Sequence, residues 1–285
     1  MKMRRSGRLV DMTCYLLQHP HELISLTFFS ERYEAAKSSI SEDLGIIKTN
    51  FETQGIGSLI TIAGAAGGVK YIPLMSEEES NEVIQVLSEK LEDPERLLPG
   101  GYLYLTDLLG DPKLMNRAGR LLASFFANQD IEYVMTVATK GIPLAYTVAS
   151  YLDVPMVIVR RDNKVTEGST VSINYVSGST KRIQTMVLAR RSLPQGSNVL
   201  IIDDFMKAGG TIQGMVNLLE EFNANVCGIG VLVEADSEDA DVEERLVDDY
   251  ISLVKLEKVD VKKKEISAVP GNVLQHYEKL LDRTK

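Results

Sequence analysis

Leu9, Val10, Thr13, Leu16 and Leu17 recur at the spacing of one helical face, and the pattern stops near His19-Pro20. A second short helix fits Thr27 to Tyr33, with Thr27 as its cap. A third runs from about Lys37 to Gln54, its core face marked by Ile40, Leu44, Ile47 and Phe51, and Gly55 ends it. Ile56 to Ala63 and Val69 to Ile72 then read as two strands joined by Gly64-Ala65-Ala66-Gly67-Gly68. Three helices and a β-hairpin make a winged helix. The pattern changes character at Pro73, which divides the chain into a head over residues 1–74 and a larger domain over 75–285. Ser76 to Leu91, with Ser76 and Glu79 in capping-box spacing, connects the two.

In the larger domain, strands alternate with helices. Asp111-Pro112 opens a helix reaching Asn128, Tyr133 to Val137 is a buried strand, Ile142 to Leu152 a helix and Met156 to Val159 a strand. Ser169 to Tyr175 and Thr180 to Ala189 alternate polar and apolar around Ser177-Gly178-Ser179, as a hairpin does. Val199 to Ile202 is a central strand, and an amphipathic helix follows it to Phe222. This is an α/β order with a mainly parallel sheet. Glu234 to Asp249 is dense in acids and reads as a solvated loop and helix.

The chain has 285 residues, 44% of them apolar, enough for two cores. Its longest apolar runs fall far short of a membrane span, and the basic start is followed by an amphipathic stretch rather than a secretory signal, so a cytoplasmic protein without a membrane partner is expected. Two cysteines and three histidines provide neither a disulfide framework nor a zinc site. The net charge of −9 is unevenly spread. Residues 1–74 hold 8 basic and 7 acidic side chains, which leaves 23 basic and 33 acidic for the rest. An acidic body with a locally basic arm suits a DNA-binding head.

The third helix of a winged helix lies in the major groove, and its first turn here is Lys37, Ser38, Ser39 and Ser41. Serine hydroxyls, helix-end amides and the lysine all suit phosphate. Arg4, Arg5 and Arg8, with Lys70 of the wing, are placed to reach flanking backbone or a minor groove. Glu42 and Asp43 close by leave a protein-binding head as the alternative.

The densest chemistry is the stretch Asp203-Asp204-Phe205-Met206-Lys207-Ala208-Gly209-Gly210-Thr211. Two carboxylates at the end of a parallel strand lead through a glycine-containing loop into a helix N-terminus. The amides of Lys207 to Thr211, the Thr211 hydroxyl and the helix dipole converge on an anion, and a phosphate is expected there. The acids would repel that phosphate, so they face hydroxyl donors or a divalent metal. A phosphorylated ribose meets both demands.

This stretch resembles the signature of type I phosphoribosyltransferases, and the resemblance covers most of Ile131 to Ala235. Ala138-Thr139-Lys140-Gly141 stands where that family has its pyrophosphate loop, and Arg160-Arg161 where a basic residue meets pyrophosphate. The hairpin Asp162 to Arg190 resembles the family's flexible hood, and the base-side layout is closest to the xanthine and adenine branches. The resemblance implies phosphoribosyl pyrophosphate as ligand, held as a magnesium complex. Lys207 departs from the family's small residue; it adds a cation at the phosphate, which strengthens ground-state binding without aiding chemistry.

A winged helix on such a domain resembles the purine operon repressors of Gram-positive bacteria across nearly the whole chain. That implies a homodimeric repressor, without catalytic residues or transferase activity, which releases operator DNA when phosphoribosyl pyrophosphate is abundant. The hairpin Asp162 to Arg190 and the region of Tyr102 are the candidate switch elements. Other phosphorylated purine nucleotides, guanosine alarmones among them, fit the same pocket. The alternative is a working xanthine- or adenine-type phosphoribosyltransferase with a regulatory head.

Overall fold

The computed structural model describes residues 3–64, 66–162, 168–176, 183–235 and 246–276. The Ser177-Gly178-Ser179 turn and residues 236–245 of the acidic run lie outside these.

The head comprises α1 (Arg5–Gln18), β1 (Leu23–Ser25), α2 (Leu26–Tyr33), α3 (Lys37–Thr53), β2 (Ser58–Ile62) and β3 (Gly68–Ile72). Three details differ from the sequence reading. The cap of α2 is Ser25 rather than Thr27: the Ser25 hydroxyl accepts the Phe28 amide at 3.1 Å, and Thr27 already lies inside the first turn. The wing sheet has three strands in the order β1-β3-β2, since a three-residue strand is too short to show alternation. The buried face of α1 is Arg8, Met12 and Leu16, while Val10 and Leu17 are 65% and 43% exposed. An apolar count misses this stripe because one of its members is a paired arginine. Met12 and Leu16 close on Ile40, Leu44, Ile47 and Phe51 of α3, the four positions expected, and on Leu59 and Val69 of the wing.

The connecting helix α4 (Glu77–Leu91) begins at the expected cap, the Ser76 hydroxyl accepting the Glu79 amide at 3.2 Å. A short β4–β5 ribbon (Leu97–Leu98, Tyr102–Leu103) and the one-turn α5 (Thr106–Leu109) follow, and then the α/β body: α6 (Pro112–Phe126), β6 (Tyr133–Val137), α7 (Ile142–Leu152), β7 (Met156–Val159), β8 (Thr170–Val176), β9 (Ile183–Ala189), β10 (Asn198–Met206), α8 (Gly210–Glu220), β11 (Asn225–Ala235), β12 (Ile251–Asp260) and β13 (Glu265–Pro270). Six of these strands form one sheet in the order β13-β12-β11-β10-β6-β7, parallel except for the β12–β13 pair. Both faces are covered, which is why β10 reads as an unbroken apolar run. Leu200 and Ile202 pack with the core of α4, α6 and α7, whereas Val199 and Ile201 pack with α8 and the β8–β9 hairpin.

That hairpin forms a separate two-stranded antiparallel sheet seated on α8; a Cβ at Gly214 would lie 2.9 Å from the Tyr175 ring. After β6 the chain adds β7 on one side, and later inserts β10 on the other. The strand order therefore reverses between β6 and β10, and open α/β sheets bind ligands at the carboxyl ends of such a pair. Among the described residues no helix is long and apolar enough to cross a membrane.

Glu234, expected in a solvated acidic run, is only 4% exposed. Its carboxylate accepts hydrogen bonds from the Ser252 hydroxyl (3.0 Å) and the Tyr250 hydroxyl.

Candidate functional site

The acid pair lies inside the last turn of pleat of β10, before the strand ends at Met206. Asp203 is 3% and Asp204 9% exposed, and the Asp204 amide donates to the Asp203 carboxylate at 3.0 Å. Burial pushes both carboxyls up from their ordinary range; for Asp203 the neighbouring Asp204 charge adds to the effect. Arg161 opposes the rise at Asp203 and Lys140 that at Asp204. Two desolvated acids side by side favour a partner that donates hydrogen bonds or carries positive charge.

Three residues beyond the strand, Gly209 turns the chain with φ +81°, in the left-handed region glycine adopts without cost, and α8 starts at Gly210. The first amides of a helix have no intrahelical partners, and the macrodipole adds partial positive charge at the same end. Thr211 is half-buried in that first turn, and Lys207 is half-buried just before it.

These residues open on a cavity of about 490 Å³. It is lined by Lys140 and Asp204, by Phe205, Met206, Lys207, Ala208, Gly209, Gly210 and Thr211, and by Gly100, Gly101 and Tyr102 from the β4–β5 turn. Tyr102, 59% exposed, stands at the cavity. The far wall, Leu256, Glu257, Val259 and Val261, was missed by sequence reasoning; it belongs to β12 and the residue just after it, and the run Ile251-Ser252-Leu253-Val254 of that strand was the available signal.

Asp203 and the loop Ala138-Thr139-Lys140-Gly141 meet behind this cavity. The Ala138–Thr139 peptide is cis, and the Ala138 amide donates to the Val159 carbonyl at 2.8 Å. A Cβ at Gly141 would lie 3.0 Å from an Asp203 oxygen and 2.3 Å from the Thr136 hydroxyl, so only glycine lets the loop sit on the acid pair. That Thr136 hydroxyl is buried and has no hydrogen-bond partner. Arg160 does not line the cavity: its amide and carbonyl pair with Val187 of β9, and the arginine charge that reaches Asp203 is that of Arg161. Among the described residues no group of three or more His, Cys, Asp or Glu side chains is placed to hold a metal ion.

In the head, Lys37, Ser38 and Ser41 are exposed and Ser39 half-buried on the first turn of α3; Arg4 is exposed, and Lys70 is half-buried on β3, the central wing strand. Arg8 is different. It is 8% exposed and its Nε donates to the carboxylate of Asp43, which is fully buried on α3. Its charge is spent inside the head, a correction to the expectation that it reaches DNA. Arg5 shares the same carboxylate at 2.9 Å and lies 3.7 Å from Glu42, with its side chain 54% exposed.

Comparison with known proteins gives consistent results. The family described as "Bacterial purine repressor, N-terminal" matches residues 4–73, and the phosphoribosyl transferase domain family matches 106–267. The chain is 68% identical to the purine biosynthesis transcriptional repressor PurR of Bacillus subtilis, over 98% of this chain and 96% of that protein. It is 47% identical to the purine biosynthesis transcriptional activator PurR of Lactococcus lactis, over 95% and 98%. Among solved structures, the adenine phosphoribosyltransferase of Thermoanaerobacter pseudethanolicus superposes with a TM-score of 0.51 at 22% identity, covering 60% of this chain and 99% of that one, a likeness of fold.

Proposed function

This chain belongs to the family of bacterial purine-biosynthesis transcriptional regulators, DNA-binding winged helices on a phosphoribosyltransferase fold, and we propose that it is a repressor whose operator binding is relieved by phosphoribosyl pyrophosphate. Repression rather than activation is read from the more similar of the two relatives described. The observation that carries the effector is the convergence, at one cavity by the β6/β10 strand reversal, of a glycine-turned helix N-terminus and a buried acid pair, Asp204 in the cavity wall and Asp203 directly behind it.

In this reading Asp203 and Asp204 accept the ribose hydroxyls, and the amides of Lys207 to Thr211 with the Thr211 hydroxyl bind the 5′-phosphate. The loop Ala138 to Gly141, with Lys140, holds the diphosphate, and Arg161, whose charge reaches Asp203, is its basic neighbour in place of Arg160. Asp203 and Asp204, desolvated and facing an anion, fit a magnesium ion, which would offset the negative charge that they and the diphosphate bring together. Phe205 and Tyr102 supply aromatic surface for whatever the ribose carries, and phosphorylated purine nucleotides, guanosine alarmones included, satisfy the same donors. The hood hairpin closes over the bound molecule. The head docks with Lys37, Ser38, Ser39 and Ser41 at the major groove, while Arg4, Arg5 and Lys70 reach flanking phosphates. Two copies bind two half-sites as a homodimer, in the cytoplasm.

The half-buried Lys207 favours a sensor over a transferase, because a charge-assisted bond to the phosphate tightens the ground state as much as any transition state. Incubation with phosphoribosyl pyrophosphate, magnesium and each purine base is expected to yield no nucleotide; turnover at enzyme-like rates would establish the transferase instead. Operator titration by fluorescence anisotropy tests the whole reading: phosphoribosyl pyrophosphate should weaken binding to purine-gene promoter DNA, and no response at any concentration would refute it. Lys207→Ala should leave effector-free operator binding intact. Losing a charged hydrogen bond of about 1.5–3 kcal/mol, it should need about 10- to 100-fold more effector for release.

A further inference from the structure

We propose that Arg120 is the positioning residue that fixes the recognition helix to the effector domain and passes effector occupancy to it, an inference that rests on the reading just given. Arg120 lies on α6 with its side chain 14% exposed. Its Nη2 donates to the carbonyls of Gly55, Ile56 (2.8 Å) and Leu74 (2.6 Å), and its Nη1 sits 3.3 Å from both carboxylate oxygens of Glu79 on α4.

Those first two carbonyls belong to the turn that follows α3, which ends at Thr53. Gly55 has φ +64° and the Ile56 amide returns to the Phe51 carbonyl at 2.8 Å, a Schellman-type exit. The guanidinium therefore holds the turn just beyond the C-terminal end of the helix whose opposite end carries Ser38 and Ser39, and its positive charge lies at the negative end of that helix. One turn further along α6, the Ser124 hydroxyl accepts the Met75 amide at 3.0 Å and holds the segment leaving the wing. A planar five-donor fork suits this cluster of carbonyls; a lysine ammonium does not reproduce it.

On the side toward the effector cavity, α6 and α7 touch directly beside Arg120. A Cβ at Gly119, next to Arg120, would lie 2.5 Å from Thr147 Cγ2 on α7, and the Tyr151 hydroxyl of α7 donates to Asn116 Oδ1 of α6 at 2.7 Å. Helix α7 begins directly after Gly141, which sits against the Asp203 carboxylate. A ligand that repositions residues 138–141 displaces α7, then α6, then the guanidinium, because a close-packed interior transmits displacement. Coupling requires that the ligand favour one of two head placements, and the Arg120 bonds define the placement seen here.

The test uses full-length Arg120→Met and Arg120→Lys, with Ser124→Ala as a milder third variant should the first two fail to fold. Calorimetric titration with phosphoribosyl pyrophosphate in the absence of DNA, thermal unfolding and operator anisotropy are measured for each. The expected result is a cooperatively folded protein with effector affinity within about twofold of the parent, operator binding weakened about tenfold or more, and the effector response reduced by at least as much. Arg120→Lys should fail to rescue either effect. A folded Arg120→Met variant that keeps both operator affinity and its response would overturn the proposal. Should the parent itself show no effector response, the functional reading falls, while the operator affinity of the folded variants still decides whether Arg120 positions the head.

Discussion

Asp43→Ala is expected to melt the head while the α/β body stays folded. Asp43 is fully buried on α3 and bonded to Arg8 and Arg5 of α1, and Arg8 is itself 8% exposed. Removing the acid strands a guanidinium among Met12, Leu16 and the α3 apolar face, a loss of about 3–5 kcal/mol when one partner of a buried pair is deleted. Set against the roughly 5–15 kcal/mol by which domains are stable, that is enough to unfold a seventy-residue unit in a large fraction of molecules. Urea unfolding followed by amide exchange in the head and by effector binding in the body should show two separated transitions, with operator binding lost at the first. Replacing both partners by apolar residues, Asp43→Leu with Arg8→Met, should recover most of the stability, because neither charge is then left alone. Equal unfolding midpoints for Asp43→Ala and the parent would show that the ion pair contributes little.

What could be read from the chain and what could not divides along one physical line. Buried parallel strands show as contiguous apolar runs, so β6, α7 and β7 appear at their observed bounds, and the acid pair with its phosphate loop lies within nine consecutive residues. Local chemistry is legible. Arg8 was misread because its partner is thirty-five positions away, and a buried arginine looks like a solvated one until the acid is placed beside it. Strand β1, three residues long, owes its existence to β3 far along the chain, whereas β12 carries an apolar run of its own; what that run does not show is that its end, at Leu256 and Glu257, walls the cavity. Arg120 has no signature in the sequence, since its acceptors, three main-chain carbonyls and the Glu79 carboxylate, lie 41 to 65 positions away. The company of its acidic neighbours predicts a solvent-facing Glu234, whereas Ser252 and Tyr250 fold back to satisfy it.

Asp203→Asn with Asp204→Asn is expected to separate stability from sensing in opposite directions. Burial raises both carboxyls above their unfolded values, so at pH values between the unfolded and folded midpoints the native state binds more protons than the unfolded one. Stability then falls as pH rises through that window, and at neutral pH the pair is a burden on the fold. Amides remove the charge without changing shape, so the double variant should unfold at the same temperature as the parent or higher, and its melting temperature should depend less on pH above the ordinary aspartate range. Sensing goes the other way. Each carboxylate offers charged acceptors to a ribose hydroxyl, worth about 1.5–3 kcal/mol apiece, so effector affinity should drop by more than about a hundredfold. The head is untouched, and operator binding without effector should match the parent, leaving a repressor that no longer releases. A variant less stable than the parent, yet still responsive to phosphoribosyl pyrophosphate, would mean that the two acids are structural and that the sugar binds elsewhere.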